Sequence, residues 1–497
     1  MLFNSAEFLL FFPMVTLLYF IIPKKVRYIW LLFASYYFYM CWNEEYALLM
    51  ATSTIITYLS GLLIEHVRKM EDVVKQKRYA KLCVILSFVL NLSILGVFKY
   101  CDFIMDNVTL LLQSIGIEIT KPSFSLLLPV GISFYTFQAL SYTMDVYRKE
   151  IYAERNILKY ALFVSFFPQL VAGPIERSKN LLIQINRVNR FDYERMKKGL
   201  LLMGWGYFQK LVIADRVAII VNQVYNNHTE YYGVQLIMAT VLFAIQIYCD
   251  FSSYSDIAIG AAEILGFKLM QNFKQPYFAN SIVDFWKRWH ISLTSWFRDY
   301  LYIPLGGNRK GKVRQYINIM VVFVTSGLWH GASWHFVVWG GLNGAYQIIG
   351  YLLKPFRVAT MKLFRIKQGT ISHRIFQRMV TFILVCISWV FFRANSLTQA
   401  LQIFRRMFKQ SAIDTMFHKT FLSLGLNYAD LVVIILSIGI LFVVGLLRRN
   451  NVRIRDGLAK QPLVVRWGVY YGIIFTIIIF GIYGPQFDAS QFIYFQF

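Results

Sequence analysis

Charge is scarce in this chain: only 15% of its 497 residues are Asp, Glu, Lys or Arg. Acidic residues are the scarcer half, 26 against 51 basic ones, and the net charge is +25. A soluble globule of this length keeps far more of its surface charged, so the two or three soluble domains that length alone would allow are set aside. The five cysteines, Cys41, Cys83, Cys101, Cys249 and Cys386, are scattered, with no CxxC pair. Neither a disulfide framework nor a metal site follows from them. The first apolar run, near 8–22, has no basic segment before it and is followed by Pro23-Lys24-Lys25 instead of a small-residue cleavage site. It reads as a retained helix and not a signal peptide. Internal repeats and low-complexity linkers are also lacking, which favours a single membrane domain over 1–497. The same lack weighs against a transporter built from inverted repeats with its histidines as a proton relay.

What the chain has instead is apolar side chains: 57% of its residues are hydrophobic, and 18% of all residues are aromatic. Apolar runs long enough to cross a bilayer recur from end to end. The expected class is an all-α polytopic membrane protein with about eleven spans plus partial helices. Lys and Arg cluster in the loops 24–27, 66–81, 148–155, 177–198, 309–314, 354–378 and 448–466. In a soluble protein such a charge would suggest nucleic acid. In short loops between apolar runs it marks the cytoplasmic side and contact with anionic lipid headgroups, so no nucleic-acid partner is expected. Both termini then fall outside the cytoplasm. The segment 103–117 reads as a lateral or re-entrant helix beside a span near 82–98. Residues 157–175, with Pro168, Gly173 and Pro174, read as a re-entrant hairpin. Residues 282–303 read as an aromatic-rich amphipathic helix at headgroup depth.

Three of the seven histidines, His290, His330 and His335, lie between Asp284 and Asn343. An imidazole in apolar sequence is either a satisfied core residue or a group that moves a proton. His330, flanked by Trp329 and Gly331 between two apolar runs, carries the stronger case for a general base acting on a hydroxyl. His335 reads as a packing or orienting residue. Glycines at 327, 331, 340, 341 and 344 permit close helix packing. Asp250 and Asp256 sit inside an apolar run and read first as structural ties to a buried cation, second as direct chemistry. Gln138, Tyr142 and Asp145 form a polar seam at helical spacing, again read as support. Leu305 to Lys312 has glycines and three cations close together, a loop able to hold phosphates and equally able to be an ordinary basic loop.

Six stretches taken in order carry a resemblance: LPVGISFYTFQ at 128–138, FPQLVAGPIER at 167–177, YCDFSSYSDIAIG at 248–260, FWKRWHISL at 285–293, YIPLGGNR at 302–309 and LWHGASW at 328–334. Together they resemble the membrane-bound O-acyltransferases, in the bacterial branch typified by alginate O-acetylation. The resemblance covers nearly the whole chain, and it implies a bacterial cell membrane as the location. It implies a multi-helix fold pierced by a tunnel, with a catalytic core at about 125–350. The family's invariant histidine maps onto His330 and a second one onto His290. The implied donor is cytoplasmic acetyl-CoA, with no metal. The implied partner is an extracellular, membrane-tethered serine acetyltransferase of the SGNH type, with a polysaccharide acceptor. D-alanyl or longer-chain acyl transfer to a wall polymer is the alternative, and IPLGGNR favours the acetyl branch. From charge and place alone, Arg288, Arg309, Lys310 and Lys312 can hold the diphosphate of CoA. Asp250, Asp256, Gln138 and Asn343 are expected as structural or tunnel-lining polar groups.

The tail 485–497 ends in FIYF at 492–495. This resembles the ending of a small partner peptide in D-alanylation systems, whose tyrosine is proposed to carry the acyl group. Tyr494 is therefore a candidate acyl relay acting with His330. The competing reading is an aromatic group seated at the outer membrane interface.

Overall fold

The computed structural model describes residues 1–117, 128–171, 173–408 and 426–483. The described residues form helices and connecting turns, with no strand among them. Among the described residues, six helical runs are long and apolar enough to cross a membrane: Glu45–Val67, Val73–Ser114, Val234–Leu265, Ile371–Arg393, Tyr428–Arg449 and Leu463–Phe480. The chain packs as two compact units, one made of 1–203 with 257–270 and the other of 204–256 with 271–497.

The first unit holds α1 (Ala6–Ile21), α2 (Arg27–Met40), α3 (Glu45–Val67), α4 (Val73–Leu95), α5 (Cys101–Ser114), α6 (Ile132–Tyr147), α7 (Ile157–Ser165), α8 (Phe167–Leu170) and α9 (Ser178–Ile185). A π turn at Gly96–Tyr100 joins α4 to α5, so 73–114 is one continuous helical run of 42 residues. The segment at 103–117, read as a separate lateral or re-entrant piece, continues that run as far as Ser114. Helix α6 is buried along almost its whole length. It lies against α3 where Gly61 leaves no room: a Cβ there would sit 2.7 Å from the Tyr142 ring. The expected break in 157–175 is present as an extended Phe166 between α7 and α8. Ending α7 there frees late carbonyls, and two amide side chains answer one of them. Gln138 Nε2 and Gln169 Nε2 both donate to the Phe163 carbonyl. Tyr142 Oη accepts the Glu154 N–H at 3.0 Å, and Asp145 Oδ2 accepts the Ser178 hydroxyl at 2.6 Å. The polar seam of α6 thus ties α6 to the broken segment and the loop around it.

Helices α10 (Tyr193–Tyr207) and α12 (Val234–Leu265) each contribute to both units. The second unit adds α11 (Asp215–Asn226), α13 (Ile282–Trp286), α14 (Ile291–Phe297), α15 (Lys312–His330), α16 (Trp334–Leu352), α17 (Lys354–Leu363), α18 (Ile371–Arg393), α19 (Leu397–Met407), α20 (Tyr428–Arg449), α21 (Ile454–Ala459) and α22 (Leu463–Phe480). A π segment, Phe208–Ala214, bridges α10 and α11. Helices α15 and α16 form a hairpin whose backbones meet. A Cβ at Gly327 would lie 2.2 Å from the Phe336 carbonyl oxygen, and one at Gly340 2.2 Å from that of Phe323.

Residues 282–303 correct the expectation of one interfacial helix. The stretch breaks at His290, whose φ of 45° is left-handed, into α13, α14 and a π turn at Arg298–Tyr302. Phe285, Trp286, Trp289, Trp296 and Phe297 are buried in protein. Aromatic spacing along a helix reports amphipathicity without saying whether lipid or protein covers the apolar side.

Two outcomes follow. Gly327→Val or Gly340→Val forces the hairpin apart and should cost at least about 1–3 kcal/mol, read as a lower melting temperature in detergent. Gly341→Ala, with nothing within 4 Å of its Cβ, should leave it unchanged. Separately, Glu176 in the first unit accepts the Met270 N–H and the Asn180 amide, and burial pushes its carboxyl up from 4.5 to about 7. Between those two values the folded state holds a proton that the unfolded chain has released, so stability falls as pH rises. Glu176→Gln should flatten that part of the melting-temperature profile relative to wild type. An unchanged slope would refute the assignment.

Candidate active site

His330 is the last residue of α15, and its helix stops because Gly331 turns to extended backbone. A Cβ at Gly331 would lie 2.2 Å from the Phe336 ring, so glycine is what lets the chain turn back directly into α16. The His330 imidazole is buried among rings: Trp329 at 4.9 Å, Trp339 at 5.0 Å and Phe392 at 5.5 Å between centroids. Trp339 stacks on Trp389 at 6.0 Å, and Trp389 meets Trp289 at 5.0 Å. Helices α15, α16 and α18 and the α13–α14 turn each supply part of this aromatic wall. Charging an imidazole in such surroundings costs its hydration.

His290 comes from the α13–α14 turn and lies 6.3 Å from His330, ring to ring. Its position is set by the backbone around it. The Ile291 N–H donates to the Asn272 carbonyl and the Lys274 N–H to the Arg288 carbonyl, both at 3.0 Å. Ser292 Oγ donates to Asn272 Oδ1 at 2.6 Å, and Asn272 Nδ2 donates to Ser255 Oγ on α12 at 2.9 Å. A left-handed non-glycine residue costs on the order of 1–3 kcal/mol, and this network holds His290 in it. Phe251 of α12 stands edge-on to His290 at 4.7 Å. The structure therefore brings the two histidines together from positions forty residues apart.

The remaining candidates divide. Asn343 is buried near the aromatic wall: its amide donates to the Trp339 carbonyl at 2.9 Å and its Oδ1 accepts from Trp286 Nε1 at 3.3 Å. His335 Nδ1 is 2.9 Å from the Phe391 carbonyl, a bond between α16 and α18. Asp250 binds Lys210 Nζ at 2.7 Å, and Asp215 binds the same ammonium at 2.8 Å, all three buried. Asp256 accepts from Gln209 Nε2 at 3.3 Å and lies 4.0 Å from Arg448. Arg288 is paired with Asp284 at 2.8 Å. Arg309, Lys310 and Lys312 are exposed on their loop, which Asn318 ties down through the Gly307 carbonyl at 2.9 Å. Gln138 belongs to the first unit. Tyr494 lies outside the described residues.

Three residues of this arrangement were not singled out from sequence: Lys210, Asp215 and Asn272. The signal for the first two was present, since Lys210 and Asp215 are ionisable groups inside a run long enough to span. Their pairing was hidden by spacing. Residues five apart face different ways on an α-helix. The π segment, closed by the Asp215 N–H on the Lys210 carbonyl, brings them to one side. Asn272 had no signal, because it works through turn contacts.

A family model described as the membrane-bound O-acyltransferase family matches residues 76–397. The chain belongs to that family. The match contains both histidines, the α15–α16 hairpin and the Lys210 cluster. Over 410 residues the chain is 37% identical to the probable alginate O-acetylase AlgI of Azotobacter vinelandii, covering 82% of this chain and 78% of that one. It is 35% identical over 439 residues to the peptidoglycan O-acetyltransferase of Helicobacter pylori, covering 82% and 80%. Similarity to the teichoic acid D-alanyltransferase of Bacillus subtilis is 26% over 230 residues, 44% and 58% of the two chains. Membership makes the protein a multi-pass membrane enzyme, an O-acyltransferase.

Removing one partner of a buried ion cluster leaves uncompensated charge. Lys210→Met should lower stability by about 3–5 kcal/mol, read in detergent thermal melts, and Lys210→Met with Asp250→Asn should recover part of it. Equal melts for the single and double variants would show that Asp250 does not depend on Lys210.

Proposed function

We propose that this O-acyltransferase passes acetyl groups from cytoplasmic acetyl-CoA across the membrane for O-acetylation of an extracellular polysaccharide or wall glycan. The observation that carries the reading is the pair of buried histidines within the family match, together with relatives named for acetylating alginate and peptidoglycan. The longer and stronger similarity to those relatives than to the D-alanyltransferase favours acetyl as the group transferred.

In this reading His330 takes the proton of the acceptor hydroxyl as its oxygen attacks the thioester carbonyl. The new C–O bond forms, the C–S bond breaks, and the proton passes to the departing CoA thiolate. A neutral imidazole enclosed by rings is suited to receive that proton. His290, held by Asn272, positions the thioester or the adjoining part of a tunnel. The basic loop at Arg309, Lys310 and Lys312 meets the CoA phosphates, and Asn343 and Asp250 support the walls. Both termini lie outside in this reading, which the clustering of Lys and Arg in the loops supports. The extracellular acceptor of the acetyl group is a membrane-tethered serine acetyltransferase of the SGNH type.

Tyr494 is proposed as the relay between the two enzymes. The start of its tail is held in the second unit: the Ile482 N–H donates to the Leu211 carbonyl at 2.9 Å, and Arg216 binds both Asp430 and the Phe480 carbonyl. Tyr494 is twelve positions beyond Ile482, a reach of about 40 Å for a fully extended chain, more than the ~30 Å hydrocarbon core. A phenol ester is activated relative to an alkyl ester, which suits onward transfer to serine.

Purified protein with radiolabelled acetyl-CoA tests both steps. His330→Ala should lower CoA release by roughly 10²–10⁴-fold, and undiminished release would remove His330 from the chemistry. Tyr494→Phe should abolish label on the protein and acetylation of the polymer. Wild-type acetylation in that variant would refute the relay while leaving the role of His330 intact.

A further inference from the structure

Trp339 lies on α16 with 1% of its surface exposed, and its ring is set against the His330 imidazole at 5.0 Å between centroids, the planes at 86°. Its indole N–H is buried and has no hydrogen-bond acceptor in the protein. Rings of Phe392, Trp286 and Trp389 stand around it at 5.1, 5.8 and 6.0 Å. Trp286, in the same wall, does find an oxygen: its Nε1 donates to Asn343 Oδ1 at 3.3 Å. The Asn343 amide in turn donates to the Trp339 backbone carbonyl at 2.9 Å. Asn343 thus serves the neighbouring indole and the Trp339 backbone, and the Trp339 N–H is left over.

A buried indole N–H is ordinarily bonded, because a donor without an acceptor has lost its hydration uncompensated. An N–H lying against a ring face is a second-order contact. A donor is worth keeping unbonded where it waits for charge that exists only during a reaction. Acyl transfer creates such a charge. As the acceptor oxygen adds to the thioester carbonyl, the C=O pair moves onto oxygen, and the oxyanion and the attacking oxygen then share one carbon. A base bonded to one and a donor bonded to the other must stand within roughly 8 Å of each other. His330 and Trp339 meet that condition from the two arms of the α15–α16 hairpin. Their places are fixed by backbone contact, since a Cβ at Gly340, next to Trp339, would lie 2.2 Å from the Phe323 carbonyl oxygen.

We infer that the Trp339 indole N–H is an oxyanion donor of the acyl transfer, a role that rests on the reading of His330 as the base. In the tetrahedral intermediate the N–H donates to the former carbonyl oxygen while His330 holds the proton of the attacking hydroxyl. On collapse the electron pair returns to the C=O bond, the C–S bond breaks, and His330 gives its proton to the thiolate. Trp339 neither gains nor loses a proton.

The test replaces Trp339 in the full-length protein with benzothienylalanine, which keeps the shape of the bicyclic ring and puts sulfur where the N–H was. CoA release from acetyl-CoA and thermal melts are measured in detergent. The kcat should fall about 100-fold with KM for acetyl-CoA little changed, the mark of an interaction made in the transition state. The melting temperature should stay level or rise, because the N–H removed had no acceptor in the folded protein. Trp339→Phe, which also leaves a gap, should lower both kcat and melting temperature. Wild-type kcat in the benzothienyl protein, a rise in KM alone, or a loss of kcat accompanied by a lower melting temperature would overturn the proposal. His330→Ala measured alongside separates the two readings. Wild-type kcat in the benzothienyl protein beside an inactive His330→Ala removes only the role of Trp339, whereas full release in His330→Ala removes the base and the oxyanion donor together.

Discussion

A polar group withdrawn from water has to find its partner inside the chain, and in a membrane protein no solvent is at hand to relax that demand. Much of the structure is organised by it. Where α7 breaks, Gln138 and Gln169 meet the same freed carbonyl. Where Lys210 is buried, two aspartates meet the ammonium, and a π segment supplies the register that lets Asp215 reach it. Where the chain must turn left-handed at His290, Asn272 bonds to Ile291 and Ser292 after the turn and to α12, while the Lys274 N–H bonds to Arg288 before it. At these three places a side chain meets the polar group that the irregular backbone or the burial exposes.

The candidate site is built on top of these solutions. His330 stands at a helix end whose place depends on glycine contacts between α15 and α16. His290 stands on a strained residue held by a hydrogen-bonded turn. Neither is on a flexible arm, so their 6.3 Å separation is a property of the packed core. Both imidazoles are buried, and tryptophan rings stand against them. A site positioned by packed helices suits a reaction in which a thioester and a hydroxyl have to be aligned.

How much of this was legible varied by residue. His330 was visible because an imidazole among apolar residues is costly, and Asp250 for the same reason. Lys210 obeyed the same rule but was read as part of a span, since α-helical spacing gave it no partner. The aromatic residues of 282–303 were visible as a pattern, and their periodicity was taken for a surface helix, whereas they are interior. Asn272 was not visible, because a turn-stabilising polar residue looks the same whether it holds a catalytic loop or an ordinary one.

By itself the sequence determined the class, the long helices and the family, because hydrophobic length and ordered motifs are properties of local chain and survive any arrangement of it. It also determined that His330 would be enclosed in apolar surroundings. Tertiary structure alone decided that His290 is its neighbour and that Asp250 and Asp215 share one lysine. Those are distances between groups far apart in the chain, set by close packing at glycines, π segments and a left-handed turn, and no periodicity along the sequence encodes them.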